Sequence, residues 1–216
     1  MLYIQKRQEP SSLTKYRKQK FAYYDGYPDK DDIREQLLEE QGHLCAYCMR
    51  RIDKEHMKIE HWYPEDRLTD AERLDYRNML GTCEGHIPGT KGIDDTCDTH
   101  KGNEEIHVNP QDKSSIGQIK YRTATGEIYS EDPKIQKDLH ITLNLNSEKH
   151  QLMKNRKDTL DAAITEMYRM KQSGTWNRKL LENMLAYYEG IGSNSKKKEY
   201  AGIVVWYLKK KLNQSR

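Results

Sequence analysis

The chain has one phenylalanine, four cysteines and six prolines among 216 residues, and its longest unbroken apolar run is AGIVVWYL at 201–208. Each shortage excludes something. A run that short falls far below the ~20 residues of a membrane-spanning helix, so no such span is expected. The opening MLYIQKRQEP lacks the apolar stretch of a secretory leader, and the expectation is a soluble cytoplasmic protein. In a reducing compartment, few cysteines grouped in pairs point to metal binding rather than disulfides. Only 35% of residues are apolar while 33% are charged, which limits the core and leaves room for a metal staple. Aromatic bulk comes instead from 15 tyrosines, a residue suited to half-buried positions with a wet hydroxyl. The net charge of +3 identifies no partner, although basic residues cluster at 15–20, 196–198 and 209–211. Such clusters are usually solvated faces.

All four cysteines fall within residues 45–97. Cys45 and Cys48 form a C-x2-C knuckle, and Cys83 and Cys97 stand further apart. Four thiolates can close a tetrahedral site around Zn²⁺, and a closed site has no open position for chemistry. Cys45, Cys48, Cys83 and Cys97 are therefore predicted ligands of a structural zinc whose removal unfolds the region. Between and beside the pairs stand Glu60, His61, Asn78 and Asp98. Their oxygen donors suit a hard divalent ion, Mg²⁺ or Mn²⁺, and histidine suits a general base near neutral pH. On a strand, Glu60 and His61 would point to opposite faces unless the chain bends near Pro64.

The local patterns predict an α+β fold. PSSLTKYRKQ and DKDDIREQLLEEQGH read as helices, the second with acidic residues in its first turn, an Ile33/Leu37/Leu38 stripe, and Gly42 as its stop. MKIEHWYP reads as a strand, the Gly-rich stretch before Cys97 as a loop, and DTHKGNEEI as a short helix. This gives a core of two short strands and a helix wrapped around a metal. Short strands are expected at HVNP and in IKYRTATGEIY, where Ala124-Thr125-Gly126 makes a turn. Helical spacing begins at Glu148, with breaks at Gly174 and at GIGSNS (190–195) and a last helix over 196–212. The expected organisation is an N-terminal helical segment (1–42), a zinc-bearing core (43–112), short strands packed on it (113–147) and a C-terminal helical region (148–216). That last region, with Trp176, Trp206 and Tyr207, would either complete the core or dock a partner.

The array CAYC…IEHWYP…YRNML…CDTHKGN, with QGHLCAYCMRRI before it and GEIY and TLNLN after it, resembles the zinc-bearing form of the HNH, or ββα-metal, nuclease family. The flanking text is similar to the HNH subunits paired with an ABC/AAA-type ATPase in Septu-type antiphage systems and in certain retrons. The likeness covers roughly residues 1–165 and is strongest over 36–110. It implies that His61 is the general base, that Glu60 ligates the catalytic metal, and that Asn78 orients the base-bearing segment. Asp98 stands where Asn or His is more usual, with His100 as an alternative second ligand. Lys101 would face the phosphate. The implied activity is hydrolysis of DNA with low sequence specificity, under control of the ATPase partner. RNA, including tRNA, is the alternative substrate, and a non-catalytic zinc module that binds nucleic acid is the alternative function.

Overall fold

The structure is a computed structural model that describes residues 1–171, 176–190 and 196–214. Pro10, with its fixed φ, leads into helix α1 (Ser11–Tyr16), which buries Leu13. Helix α2 (Lys30–Gln41) carries Asp31 and Asp32 in its first turn and buries Ile33, Leu37 and Leu38. Gly42, at φ 62°, closes it, because a left-handed cap costs glycine nothing. Buried Gln41 then ties the helix end to two later segments. Its amide nitrogen donates to the carbonyls of Leu44 and Gly81, both at 2.7 Å, and its oxygen accepts from the Gly81 N–H.

Strands β1 (Met57–His61) and β2 (Met79–Cys83) pair antiparallel, with Met57 opposite Cys83, Glu60 opposite Leu80 and His61 opposite Met79. A capped single-turn helix α3 (Asp70–Arg73) lies between them. Helix α4 (Cys97–Lys101) comes after the Gly-rich loop. The strand–strand–helix order matches the sequence expectation, but α4 is shorter than predicted. It stops at Gly102, whose N–H closes back on the Asp98 carbonyl at 2.9 Å.

The region 113–147 holds one hairpin rather than a set of strands. It runs helix α5 (Lys113–Gly117), β3 (Ile119–Tyr121), β4 (Ile128–Ser130), helix α6 (Pro133–Lys137) and a wide helical turn over Asp138–Thr142. Asp112 and Asp132 cap α5 and α6 through two backbone N–H groups each, which favours helix at both places. HVNP is not a strand. The N–H groups of His107 and Val108 donate to the buried carboxylate of Asp138 instead of to a ladder.

Helices α7 (Leu152–Met170), α8 (Arg178–Glu189) and α9 (Ala201–Gln214) close the fold. The last begins five residues later than predicted. Residues 197–200 are engaged with the cysteine knuckle: Lys197 N–H donates to the Gly42 carbonyl and Tyr200 N–H to that of Met49, while Glu199 accepts from Arg51 N–H. Ile203, Val204, Val205 and Leu208 are buried, so the apolar centre of α9 is core. Trp206 packs on Tyr121, and Trp176 on Tyr168. Gly190 ends α8, whereas Gly174 and residues 191–195 lie outside the described residues. Among the described residues, no helix is long and apolar enough to cross a membrane.

Arg156 on α7 joins the hairpin to the helices. Its buried guanidinium donates to Gly126 O (2.6 Å), Leu145 O (2.9 Å) and Asn146 Oδ1 (2.7 Å). Gly126 sits at φ 77°, and a Cβ there would collide with the Met153 carbonyl. Gly126→Ala should therefore destabilise the protein by roughly 2–4 kcal/mol, combining left-handed strain with a backbone clash. Thermal unfolding of the metal-loaded protein checks this, and a melting temperature equal to wild type would refute it.

Candidate functional site

The knuckle comes directly after α2. Cys45 N–H donates to Arg50 O (2.9 Å), Met49 N–H donates to Cys45 O (3.1 Å), and Met49 takes φ 63°. This reverses the chain and turns both sulfurs to one side. Ala46 N–H pins the knuckle to Gly81 O on β2 (3.0 Å), the strand that ends in Cys83. Cys97 opens α4 at φ 58°, its N–H held by Leu143 O at 2.9 Å.

These three elements bring the four Sγ atoms within 4.8 Å of one another. Cys45 lies 3.7 Å from Cys97, and Cys48 3.8 Å from Cys83. Four thiolates bound tetrahedrally at ~2.3 Å would sit about 3.8 Å apart, so the donor set fits a structural metal such as zinc. All four side chains are buried and free of disulfides. Burial opposes ionisation of Cys45, but hydrogen bonding with Cys48, Cys83 and Cys97 outweighs it and holds that thiol well below its ordinary value. Hydrogen bonding from Cys45 and Cys48 pushes Cys83 well up, and burial does the same to Cys97. A divalent cation binding here would take all four sulfurs as thiolates.

Beside this centre is a buried cluster of a different kind. Lys58 and Glu60 share one face of β1, and His61 takes the other. Glu60 is only 4% exposed. Its Oε1 accepts from Lys101 Nζ at 2.7 Å and from the Tyr47 hydroxyl at 3.0 Å, and the Asp98 carboxyl is close enough to act on its ionisation. Burial, then Asp98, pushes Glu60 up to about 9, against the downward pull of Lys101. On the outer side, Lys58 Nζ lies 3.5 Å from Asp98 and donates to Thr99 Oγ1 at 2.7 Å.

Lys101, expected to face the phosphate, points inward. It is buried, and its Nζ bridges Glu60 and the His61 carbonyl (3.2 Å), which gives both buried oxygens a donor. His100 is also displaced from its expected role. Its Nδ1 is directed to Thr142 O at 3.1 Å. Among the described residues, the four cysteines are the one group of three or more Cys, His, Asp or Glu side chains close enough to hold an ion. Glu60 and Asp98 stand as a pair.

His61 is 5% exposed and lies edge-on to Tyr24, with ring centres 4.8 Å apart. Its Nε2 is 2.8 Å from Arg73 O. A carbonyl only accepts, so that nitrogen carries the proton, and Nδ1 holds a lone pair directed toward Glu65 at 3.6 Å. Burial lowers the imidazole pKa, against the opposing effects of the Arg73 carbonyl and Glu65. Asn78 clips the chain just after His61: Oδ1 accepts from Tyr63 N–H (2.8 Å) and Nδ2 donates to Tyr63 O (3.0 Å). Trp62 donates its indole N–H to Val108 O at 2.9 Å and packs on the core.

Sequence reasoning missed Tyr47, Lys58, Tyr24 and Arg73. Tyr47 stands inside the CAYC knuckle and Lys58 two residues before Glu60, so the strand period already placed Lys58 on the same face. Tyr24 and Arg73 left no local signal.

The purified chain should hold one equivalent of a soft divalent metal. Cys97→Ser, or chelation, should abolish the cooperative thermal transition; an unchanged melt without metal would refute a stapling role. A second expectation concerns pH. Glu60 rises from 4.5 to about 9 on folding, so the native state binds more protons than the unfolded chain between those values. Its contribution to stability is therefore lost as pH rises through that window. Without added hard metal, Glu60→Gln should flatten the fall in stability between pH 5 and 9, measured by urea unfolding. An unchanged slope would assign that fall to other groups.

No protein-family model matches the chain, and no curated protein matches it, so the functional reading rests on these residues and their geometry.

Proposed function

We propose that this chain is a divalent-metal-dependent endonuclease of the HNH type, with zinc as the ion of the cysteine centre and DNA as substrate. The observation that carries this reading is the meeting of Glu60, Asp98 and Lys101 beside the strand end that bears His61. Two neighbouring carboxyls, one of them buried and its ionisation disfavoured by the other, form a place where added positive charge is stabilised. Mg²⁺ or Mn²⁺ held by Glu60 and Asp98 would supply the positive charge that a transferring phosphate requires.

The chain's own residues do the rest. His61 is kept neutral by burial, and its Nε2–H is fixed on Arg73 O, leaving Nδ1 as the atom that accepts a proton from the attacking water. Glu65, 3.6 Å from that nitrogen, stabilises the proton once it is there. Asn78 holds the turn after His61 and so fixes where the ring sits. Lys58, partly exposed beside Asp98, contributes charge at the outer edge. The wider role, effector of an antiphage system controlled by an ATPase subunit, rests on the sequence resemblance.

Supercoiled plasmid should be nicked or linearised when Mg²⁺ or Mn²⁺ is added to zinc-loaded protein. Metal should be omitted rather than chelated, since a chelator would also strip the cysteines. His61→Ala should lower the rate by roughly 10²–10⁴-fold, the usual contribution of a positioned base. Glu60→Gln should raise the metal concentration needed. Cleavage by His61→Ala at the wild-type rate would remove it from the mechanism.

A further inference from the structure

Residues 11–24, SSLTKYRKQKFAYY, carry Lys15, Arg17, Lys18 and Lys20 and no acidic residue. The loop that ends this stretch is built, not slack. Tyr16 packs against Tyr27 at 5.1 Å and donates its hydroxyl to Tyr23 O at 3.1 Å, while Tyr27 donates to Ser12 Oγ at 2.8 Å. Tyr24 is buried and lies edge-on to His61. With its neighbours anchored this way, the loop presents Phe21 outward. The chain's single phenylalanine is 82% exposed and sits at φ 67°, a backbone region that costs a non-glycine residue of order 1–3 kcal/mol. Lys20 Nζ lies 5.0 Å over its ring, and Tyr23 beside it is half exposed.

An apolar ring pushed into water, on strained backbone and among cations, lowers the stability of the free chain. It gains a purpose if a flat, anionic partner covers it. We infer that the 17–24 loop is a stacking platform for an unpaired base, and that it selects single-stranded or locally opened nucleic acid for the site that Tyr24 adjoins. Phe21 supplies the face for stacking, and Lys18 and Lys20 the charge for the flanking phosphates. Paired bases in a duplex offer no free face, so the platform discriminates by pairing state rather than by sequence. The inference rests on the nuclease reading for its consequence, but the binding step is measurable on its own.

The test compares fluorescein-labelled oligothymidylate with a duplex of equal length, by anisotropy, using zinc-loaded protein without Mg²⁺ or Mn²⁺. Phe21→Ala should weaken single-strand binding by about 5- to 100-fold, the range for loss of one base–aromatic stack, and leave duplex binding unchanged. Phe21→Trp should restore it. Equal loss on both ligands, or no loss on either, overturns the platform, as does wild-type protein that binds neither. If Phe21 governs single-strand binding but no nucleic acid is cut when hard metal is added, the nuclease reading fails and the platform stands. If wild type cuts and Phe21→Ala cuts and binds equally well, the platform alone fails.

Discussion

Four sulfurs within 4.8 Å, joined by a metal, would hold together pieces of chain that are too small to stay together otherwise. A two-stranded hairpin such as β1–β2 is marginal in water, and a five-residue helix such as α4 is far too short to form alone. The knuckle, the end of β2 and the start of α4 each contribute sulfur to the same point. Asp98 is the next residue after Cys97, and Glu60 lies on the strand paired to the one that ends in Cys83. A metal closing the sulfur centre would therefore set the distance between these two carboxyls. A metal with no part in chemistry would still determine whether the chemistry has a place to occur.

The charged residues inside the molecule obey one pattern. Glu60 has Lys101 and the Tyr47 hydroxyl, Glu40 has Lys6 at 3.0 Å, and Arg156 has three oxygen acceptors. Such pairs are poor sources of net stability, but an unpaired partner is strongly penalised. They thus fix the register of the elements that carry them. The same logic accounts for tyrosine in place of phenylalanine. Tyr16, Tyr27 and Tyr47 each pack a ring and use the hydroxyl to join another segment, which a chain with a small apolar core needs at many points.

The legible parts of the sequence were those written locally. The acidic first turn and Gly42 marked α2, the β-prone MKIEH marked β1, and the exclusive location of the cysteines between 45 and 97 marked their meeting point. Alternation along β1 also separated Glu60 from His61 as it must. Long-range polar contacts were not legible. HVNP has the composition of a strand, yet Asp138, some thirty residues away, takes its N–H groups. Lys196 to Leu212 has helical character throughout, yet its first residues pair with the knuckle and Tyr200 turns to φ 53°. Lys101 was read as a phosphate contact because nothing adjacent in sequence told of its pairing with Glu60.

The order of the ligands along the chain has a consequence for synthesis. The knuckle emerges from the ribosome first, but Cys97 comes 49 residues after Cys48, and the Leu143 carbonyl that holds the Cys97 N–H comes 46 residues later still. Until that carbonyl is out, α4 has no seat, and Asp98 has no fixed relation to Glu60. A nascent or truncated chain that stops short of residue 143 thus carries every residue of the cluster and still lacks its assembled form. Vectorial synthesis itself delays the moment at which these groups first face one another.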